Sequence, residues 1–518
     1  MKKINVSIKA EVISRHLLCT AEEMAAALIR LSFSPNIKER ADCSTTIFDQ
    51  FGQVIAQAHR VPIHLGSMIG AIDAILSKYN KNEIKPGDMF AVNDPYNGGG
   101  THLPDINIVA PVFFEDEIVA YVANIAHHAD VGGMVPGSES AICKTIFQEG
   151  LRIPVVRIVS NNQINQDVYD IILLNSRTPE ERHGDLRAQI STNNVGINGV
   201  LKIFEKYGST QTKSLISSYL DFTEDRFSSR IKELPDGTYN ALDYLDGDNP
   251  SETCEINLKL TIKSRNLIFD FKRSGPQLNS SRNIPHQALL ATIYTVAKSL
   301  IDPDIPANAG YFRCIEIKVF HGTVVAPIMP AAVGCRSISC GVLGDVIASA
   351  ISGAMPVKAI AGCGPHHLIV LSGIDPRKER YFVSYETIAG GMGARPNSKG
   401  IDAVRVHASG AANLPIEALE NSYPFRIIKY ALRQKSGGQG INVGGMGVVR
   451  EYLVEADEAS VSLSAERQNI PAQGINGGFE GALGQFTLNP DSPIEKRLPS
   501  AVGDLLLPKG TVIRVETP

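Results

Sequence analysis

Two stretches in the first part of the chain repeat apolar residues at the spacing of a helix. In residues 6–31 the apolar stripe consists of Val12, Ile13, Leu17, Met24, Leu28 and Leu31. In residues 66–79 it consists of Met68, Ile69, Ile72, Ile75, Leu76 and Tyr79. Apolar residues three and four positions apart lie on one face of a helix. We therefore predict an N-terminal helix with at most one break, and a second helix directly after His64.

Runs rich in β-branched residues predict strands between and after these helices. Residues 45–51 and 53–57 flank the turn signal near Gly52 and are typical of a short hairpin. Residues 105–114 and 117–124 are separated only by Glu115 and Asp116, so we predict a second, longer hairpin there.

The remaining pattern divides the chain into three lobes. Thr178-Pro179-Glu180-Glu181 has the form of a capping box and predicts a helix to about Tyr207. Strands at residues 255–262 and 267–271 precede a helix at 285–300, and short strands alternate with glycine clusters from about residue 360. We expect a mixed α/β (α+β) fold with a helical N-terminal part and a glycine-rich, strand-rich C-terminal part. The lobes are 1–230, which carries a metal, 231–360, which is mixed α/β, and 361–518.

Composition and charge exclude several classes of protein. The chain has 518 residues and a formal net charge of -4, so it offers no large basic field for nucleic acid or an anionic membrane. Apolar runs such as residues 342–355 are interrupted and fall short of the ~20 residues that cross a bilayer. Charged residues also interrupt the N-terminal stretch where an export signal would be apolar. The 8 cysteines form no Cys-x-x-Cys pair, so we expect a soluble, cytoplasmic protein with reduced thiols.

The segment Asn93-Asp94-Pro95-Tyr96-Asn97-Gly98-Gly99-Gly100-Thr101-His102-Leu103-Pro104-Asp105 is the first with chemical potential. Three consecutive glycines permit a backbone path closed to other residues, and they lead into His102 and Asp105 at the start of a strand. Imidazole and carboxylate together suit zinc, manganese or iron. A surface glycine turn is the alternative that we weigh against a metal site.

A second polar segment, Asn124-Ile125-Ala126-His127-His128-Ala129-Asp130, ends the strand that pairs with the first. In an antiparallel hairpin the end of the second strand returns beside the start of the first, which brings His127 back to Asp105. A lone buried histidine is more often a core residue. His-His-x-Asp returned beside His-x-x-Asp favours a metal site.

Other polar segments are ambiguous from sequence alone. Asp42 could complete the ligand set, while Arg40, His59 and His64 could hold a substrate carboxylate or phosphate, or form a surface ion-pair cluster. Cys43 is a poor nucleophile, because the neighbouring carboxylate raises a thiol pKa.

Two further pairs are interpreted as structural. For Glu149 and Arg152 we favour an ion pair with each other over a functional role. His366 and His367 have no carboxylate near them in sequence and are expected to be structural. The late glycine clusters contain no Gly-x-x-x-x-Gly-Lys-Ser/Thr pattern, so no nucleotide site is predicted.

These segments resemble the hydantoinase B/5-oxoprolinase family. The matching features are Glu39-Arg40-x-Asp42-x-Ser44, Asn93-Asp94-Pro95-Tyr96 followed by Gly-Gly-x-His-x-x-Asp, His127-His128-x-Asp130, Ser274-Gly275-Pro276-Gln277 and the late glycine clusters. The resemblance implies a hetero-oligomeric, two-component enzyme that acts on small cyclic amides such as hydantoins, 5-oxoproline or lactams. A hydantoinase A-type partner subunit would bind ATP-Mg and phosphorylate the substrate, and the B-type subunit would carry the metal.

Carried over by position, the resemblance implies Asp42, His102, Asp105 and His127 as metal ligands. His128 and Asp130 are then candidates for catalytic or ligand-orienting roles, and His128 remains an alternative to His127 as a ligand. Two other functions stay open. One is a subunit of a biotin-independent ketone carboxylase of the acetone or acetophenone type, and the other is a non-catalytic scaffold in which the metal only staples loops.

Overall fold

A computed structural model describes residues 7–247, 253–407 and 409–518 of the chain. The first unit in chain order is a seven-stranded antiparallel sheet in the order β2-β1-β5-β4-β3-β6-β7. Its strands are β1 (Cys43–Asp49), β2 (Val54–Gln57), β3 (Met89–Val92), β4 (Asp105–Phe114), β5 (Glu117–His127), β6 (Val156–Ser160) and β7 (Gln163–Ile164). Both predicted hairpins are confirmed, and β5 runs three residues beyond its predicted end.

Helices cover both faces of this sheet. They are α1 (Ile8–Leu31), α2 (Pro35–Lys38), α3 (His64–Lys78), α4 (Gln166–Leu174), α5 (Pro179–Tyr207) and α6 (Ser209–Ile231). Helices α1 and α5 pack together on one face and α3 packs on the other, so apolar clusters fill both sides of the strands. The central strands are therefore buried on both faces, and they consist of nearly continuous apolar runs.

Helix α1 is continuous through residue 31, so the break that the sequence allowed is absent there; residue 6 lies outside the described residues. Helix α3 begins at His64 itself, and the prediction of a helix directly after His64 is confirmed. The prediction of a capping box at Thr178 is wrong, although the helix itself begins at Pro179. The Thr178 side chain makes no cap hydrogen bond and accepts one from Arg182 instead, at 3.2 Å.

The second sheet has the order β11-β10-β9-β8. It consists of β8 (Gly237–Leu245), β9 (Cys254–Lys263), β10 (Asn266–Asp270) and β11 (Ile315–Lys318), of which β10 and β11 run parallel. The helices of this region are α7 (His286–Ile301), α8 (Ala309–Phe312) and α9 (Arg336–Ala354). Helix α9 is long and apolar enough to span a membrane, but 78% of its apolar window is buried against the protein, as in a core helix.

Two antiparallel sheets form the last region and share one apolar core. Their orders are β13-β12-β16-β19 and β14-β15-β20-β17-β18. The elements are β12 (His367–Asp375), β13 (Arg380–Ile388), α10 (Ile416–Ser422), β14 (Phe425–Leu432), β15 (Val448–Val454), β16 (Glu458–Ser464), β17 (Gln485–Leu488), β18 (Lys496–Leu498), β19 (Ala501–Pro508) and β20 (Val512–Glu516).

The glycine clusters of this region pack backbone against backbone. A Cβ atom on Gly391 would lie 2.0 Å from the carbonyl oxygen of Gly445, and one on Gly437 would lie 2.0 Å from that of Gly444. No side chain fits at such distances. The mixed α/β fold with a strand-rich, glycine-rich C-terminal part is thus confirmed, whereas the three lobe boundaries stay a prediction.

Candidate metal centre

The hairpin of β4 and β5 brings two candidate ligands to one end of the first sheet. Asp105 begins β4 and His127 ends β5, and the two residues are paired in the antiparallel register. Asp42 lies just before β1, which pairs with β5, and its carbonyl oxygen accepts a hydrogen bond of 3.0 Å from the His127 backbone. His64 reaches the same place from the first turn of α3. Neighbouring strand ends therefore gather residues from positions 42 to 127.

The loop before β4 is held by its own polar side chains. The Asn93 amide donates to the carbonyl oxygens of Leu103 and Leu151, at 2.7 and 3.0 Å. Gly99 has a φ of +70° and lies so close to Gly70 that a Cβ atom there would be 2.1 Å from a backbone carbon. Glycine is needed for both reasons. The predicted special backbone path is present, and it fixes the position of His102.

The side chains of His102, Asp105 and His127 offer ligand atoms that all lie within 4.8 Å of one another. The Nε2 atom of His102 is 3.1 Å from Asp105 Oδ2. His64 adds a fourth group, because its Nε2 atom is 3.6 Å from both Asp105 Oδ1 and Asp42 Oδ1. Three of the four residues that the resemblance implied as ligands thus lie together, and the fourth, Asp42, is connected to Asp105 through His64. The sequence suggested His64 only for substrate binding or a surface ion-pair cluster.

Two ligand atoms in this cluster are buried without a hydrogen-bond partner among the described residues. They are Nε2 of His102 and Oδ1 of Asp105, and both residues are fully buried. The Nδ1 atom of His102 faces the carbonyl oxygen of Gly334 at 3.1 Å, so Nδ1 carries the proton and Nε2 keeps a free lone pair. Unpaired buried polar atoms are costly. A divalent ion would satisfy both, so the residues fit a metal.

His127 is less ready to act as a ligand than His102. The amide nitrogen of Asn36 lies 3.1 Å from Nδ1 of His127, and an amide N–H can only donate there. The ring proton is then on Nε2, which faces Glu139 Oε2 at 3.4 Å. Ligation through Nε2 would require the Asn36 amide to turn away and the proton to move to Nδ1.

The polar groups around the cluster keep its carboxylates ionised. Burial alone raises the pKa of Asp105, but the contacts of the ionised carboxylate with the His102 and His64 imidazoles and with the Arg336 guanidinium outweigh burial and hold that pKa well below its usual range. The Arg336 guanidinium donates to Asp105 Oδ2 at 2.7 Å. Burial lowers the pKa values of His102 and His64, so both rings are neutral at neutral pH. Neutral imidazoles and ionised carboxylates are the forms that bind metals.

Glu139 and Arg336 were missed by sequence reasoning. Glu139 Oε2 lies 3.7 Å from Nδ1 of His102 and 3.4 Å from Nε2 of His127. No recognisable motif surrounds either residue. The one available signal was a charged residue, Arg336, directly before the long apolar run of α9.

The structure does not bring His128 and Asp130 into the cluster. The His128 ring points toward α5, where its Nε2 atom contacts Gln189 Oε1 at 2.9 Å, and burial followed by the charge of Arg182 lowers its pKa to about 4. Asp130 accepts hydrogen bonds from the backbone N–H groups of Gly132 and Gly137 and from the backbone and side chain of Arg177. Their catalytic assignment remains a prediction, and their contacts are those of residues that brace the loop.

The other residues of the early segment have different positions. Arg40 is buried, and its guanidinium donates to Asn36, Thr387 and the carbonyl oxygens of Tyr385 and Ala412. Such a saturated guanidinium braces the structure. His59 is on the surface, with its side chain 79% exposed and paired with Glu22. Burial and the neighbouring Asp42 raise the pKa of Cys43 to about 12, so the thiol is inert, as expected.

The predicted ion pair between Glu149 and Arg152 is wrong. Arg152 pairs with Asp94, at 3.0 Å. Glu149 is buried and accepts the backbone N–H groups of Val333 and Gly334, at 2.9 and 2.6 Å. It therefore holds Gly334, the residue whose carbonyl oxygen faces His102.

The pair His366 and His367 is divided between two environments. His367 lies against the carbonyl oxygen of Glu466, at 3.2 Å, whereas His366 lines the cavity of the metal cluster. This cavity has a volume of about 30 Å³ and is also lined by Asp42, His64 and His127. Side chains from all three predicted lobes therefore meet at the site.

A second group, Asp345, Cys363 and His407, also has ligand atoms within 4.8 Å of one another. Asp345 already pairs with His407 at 2.8 Å and with Arg467 at 3.0 Å, and it accepts the Cys363 backbone N–H. The guanidinium of Arg467 occupies the position where a cation would have to approach. This group is a satisfied ion-pair network.

Comparison with known proteins connects this geometry to a family. Residues 7–518 match the family model described as hydantoinase B/oxoprolinase. The putative B-type subunit of a D-/L-hydantoinase from Pseudomonas sp. is 30% identical over 100% of this chain and 90% of its own length. The 5-oxoprolinase of Dictyostelium discoideum is 32% identical over 92% of this chain, a region that makes up 37% of that protein.

Two solved structures are similar over nearly the whole chain. An ATP-dependent caprolactamase from Pseudomonas jessenii has a TM-score of 0.89 and 26% identity, covering 99% of this chain and 90% of the other. A nucleotide-free acetone carboxylase has a TM-score of 0.90 and 17% identity, covering 98% of this chain and 74% of the other, which is evidence for the fold alone.

Proposed function

The chain belongs to the hydantoinase B/oxoprolinase family, and on this basis we propose that it is the metal-bearing subunit of a two-component, ATP-dependent cyclic-amide hydrolase. The observation that carries the proposal is the buried cluster of His102, Asp105 and His127, in which two ligand atoms lack partners among the described residues. Similarity to a caprolactamase and to a hydantoinase component along almost the full chain supports ring opening as the reaction.

Asp42, His102, Asp105 and His127 would hold a divalent ion, which we propose to be zinc, manganese or iron because mixed imidazole and carboxylate ligands suit all three. When bound, such an ion supplies Lewis acidity toward an amide or phosphoryl oxygen and lowers the pKa of water. The protein residues prepare the site. Gly334 fixes the ring of His102, and Arg336 holds Asp105 through a bond of 2.7 Å.

A carboxylate in the cavity can accept the proton of the attacking water. Burial raises the pKa of Asp42, but electrostatic interaction of its ionised form with His127, Arg40 and His64 outweighs burial and lowers the pKa, so Asp42 is ionised at neutral pH. Its side chain lines the cavity. Asp130 is not placed to act this way, because four donors saturate it. Asp42 is therefore the general base whenever it is not itself a ligand.

ATP enters through a hydantoinase A-type partner in this proposal. An unstrained cyclic amide resists hydrolysis, and transfer of a phosphoryl group to its oxygen activates the ring carbon. One water then adds to that carbon, the ring C–N bond breaks to leave an acyl phosphate and an amine, and a second water releases phosphate. In the Dictyostelium 5-oxoprolinase the similar region is 37% of the chain, which leaves room for an ATP-binding part in the same polypeptide.

A ketone carboxylase is the second candidate, because the fold also matches an acetone carboxylase with a TM-score of 0.90. Both enzymes need ATP and a partner, but only a carboxylase depends on bicarbonate. A non-catalytic scaffold is the third candidate. It differs from both enzymes because turnover by the complex would continue after a metal ligand is removed.

The test is co-expression with the A-type partner, followed by ATP turnover assays with hydantoins, 5-oxoproline, lactams and ketones, each with and without bicarbonate. The hydrolase predicts turnover with a cyclic amide that is independent of bicarbonate. His102→Ala should abolish turnover without dissociating the complex, while His59→Ala at the surface should not change it. Bicarbonate-dependent turnover of a ketone would replace the hydrolase with the carboxylase, and unchanged turnover in His102→Ala would establish the scaffold.

A further inference from the structure

The cavity beside the metal cluster is lined by more than the candidate ligands. Asp42, His64 and His127 line it, and so do Ser337, His366 and Arg405. Neither the sequence motifs nor the ligand assignments account for this second group. Polar side chains that share a small cavity with a metal cluster are placed to contact the substrate atoms that enter it.

Arg405 has a guanidinium with unused donors. Its hydrogen bond in the described part of the chain goes to the carbonyl oxygen of Thr387, and no described carboxylate lies within salt-bridge distance. The two neighbouring arginines differ from Arg405. Arg40 donates to four protein oxygens, and Arg336 is bound to the Asp105 carboxylate at 2.7 Å, although its buried Nε atom has no partner among the described residues. Of these three arginines, Arg405 is the one that has neither a described carboxylate partner nor a saturated set of donors.

The electrostatics of Arg405 favour an anion beside its guanidinium. Burial, followed by repulsion from Arg40, lowers the pKa of Arg405 to about 9, and attraction by Asp42 does not offset this. The guanidinium still carries its charge at neutral pH. A bound oxyanion would supply the neutralising charge that the protein does not.

Two neutral polar groups line the same cavity as the guanidinium. The Ser337 hydroxyl lies 3.2 Å from Nε2 of His366 and donates a long hydrogen bond of 3.5 Å to Glu139 Oε1. Ser337 is in the first turn of α9, where helix N–H groups favour negative charge. Burial and Arg405 together keep the pKa of His366 well below its usual range, so the ring is neutral. One guanidinium with a hydroxyl and an imidazole is a suitable donor set for an oxyanion.

The size of the cavity limits what can enter. A volume of about 30 Å³ holds roughly two water molecules. The oxygen atoms of a carboxylate or phosphoryl group can enter this cavity, whereas a whole lactam ring exceeds its volume.

We propose that Arg405, Ser337 and His366 form an oxyanion subsite that holds a carboxylate or phosphoryl group of the substrate next to the metal cluster. This inference rests on the proposed hydrolase function for the identity of the substrate. The two possible sources are the phosphoryl group that arrives with the activated substrate and a carboxylate that the substrate already carries.

The experiment measures oxyanion binding by titration calorimetry on the full-length, metal-loaded chain, with inorganic phosphate and acetate as separate probes. Arg405→Ala should weaken binding at least tenfold, and Arg405→Lys should lose less because it keeps the charge. Arg380→Ala is the matched control, since Arg380 lies on β13 with Thr387 but is 61% exposed. Metal content and melting temperature are recorded for every variant to confirm that each remains folded and loaded.

If Arg405→Ala loses affinity for phosphate alone, the subsite holds the phosphoryl group. If it loses affinity for acetate alone, the subsite holds a carboxylate, and an equal loss of both affinities would indicate a general oxyanion subsite. Wild-type chain that binds neither probe, or Arg405→Ala that binds as wild type does, would overturn the proposal. A failure of the proposed function can be told apart from a failure of the subsite. If the complex turns over no cyclic amide but phosphate binding still requires Arg405, only the function is wrong. If Arg405→Ala hydrolyses amides with an unchanged KM, only the subsite is wrong.

Discussion

Replacing Glu149 by glutamine should change how stability depends on pH. Glu149 is fully buried, its Oε1 atom accepts two backbone N–H groups, and its Oε2 atom has no partner among the described residues. Burial, reinforced by the charge of Glu139, raises its pKa from 4.5 to about 8. The folded protein therefore keeps this carboxyl protonated at neutral pH, while the unfolded chain does not.

The sign follows from this difference in bound protons. A raised folded-state pKa stabilises the protein fully below pH 4.5, and that contribution is lost as the pH rises to about 8. At about 1.36 kcal/mol per pH unit, the loss amounts to ~5 kcal/mol. Glu149→Gln keeps the carbonyl that accepts both N–H groups but does not ionise. The variant should gain stability relative to wild type as the pH rises, until the gain levels off above about pH 8.

Urea unfolding at pH 5, 6, 7, 8 and 9 would measure this gain as a growing difference between the two midpoints. Glu117→Gln is the control, because Glu117 is 70% exposed and its replacement should show no comparable trend. Parallel pH profiles of Glu149→Gln and wild type would refute the assignment of a neutral, buried carboxyl. Metal content should remain normal in Glu149→Gln, since Gly334, whose carbonyl oxygen faces His102, keeps the hydrogen bond of its N–H group.

Three further predictions concern the metal site and its loop. His102→Ala should lower the bound metal at least tenfold, and a chelator should lower the melting temperature of wild type but not of this variant. Because burial lowers the pKa values of His102 and His64, metal release on acidification should occur below pH 6.5, the ordinary histidine pKa, and release above it would contradict the structure. Gly99→Ala should destabilise the protein by more than ~1 kcal/mol, because the new methyl group would meet Gly70 at 2.1 Å. Gly208→Ala, with a φ of +76° but nothing within 4 Å, is the matched control, and equal losses in the two variants would argue against the contact.

Much of the local structure could be predicted because its causes are local. Apolar spacing placed α1 and α3, and β-branched runs placed the hairpin of β4 and β5. Pairing in a hairpin then dictates that Asp105 meets His127, whatever surrounds it. The interpretation of the glycine loop was possible for the same reason, since consecutive glycines permit backbone conformations that other residues rarely adopt.

The partners of charged residues could not be predicted in this way. Glu149 and Arg152 are neighbours in sequence, yet Glu149 finds backbone N–H groups at residues 333 and 334. A buried carboxyl takes whichever donors the packing presents, and these can come from any distance along the chain. The same applies to Arg336, which reaches Asp105 from a helix 231 positions away.

By itself, the sequence determined the main helices, the two hairpins and the meeting of Asp105 with His127, because propensity, periodicity and pairing act over a few neighbouring residues. Only the tertiary structure decided that His127 faces the cavity while His128 faces α5, that Glu139 joins the cluster, and that Arg405 lines the same cavity. Those outcomes depend on which surfaces pack together, and burial then decides which polar atoms are paired and which are left for a ligand.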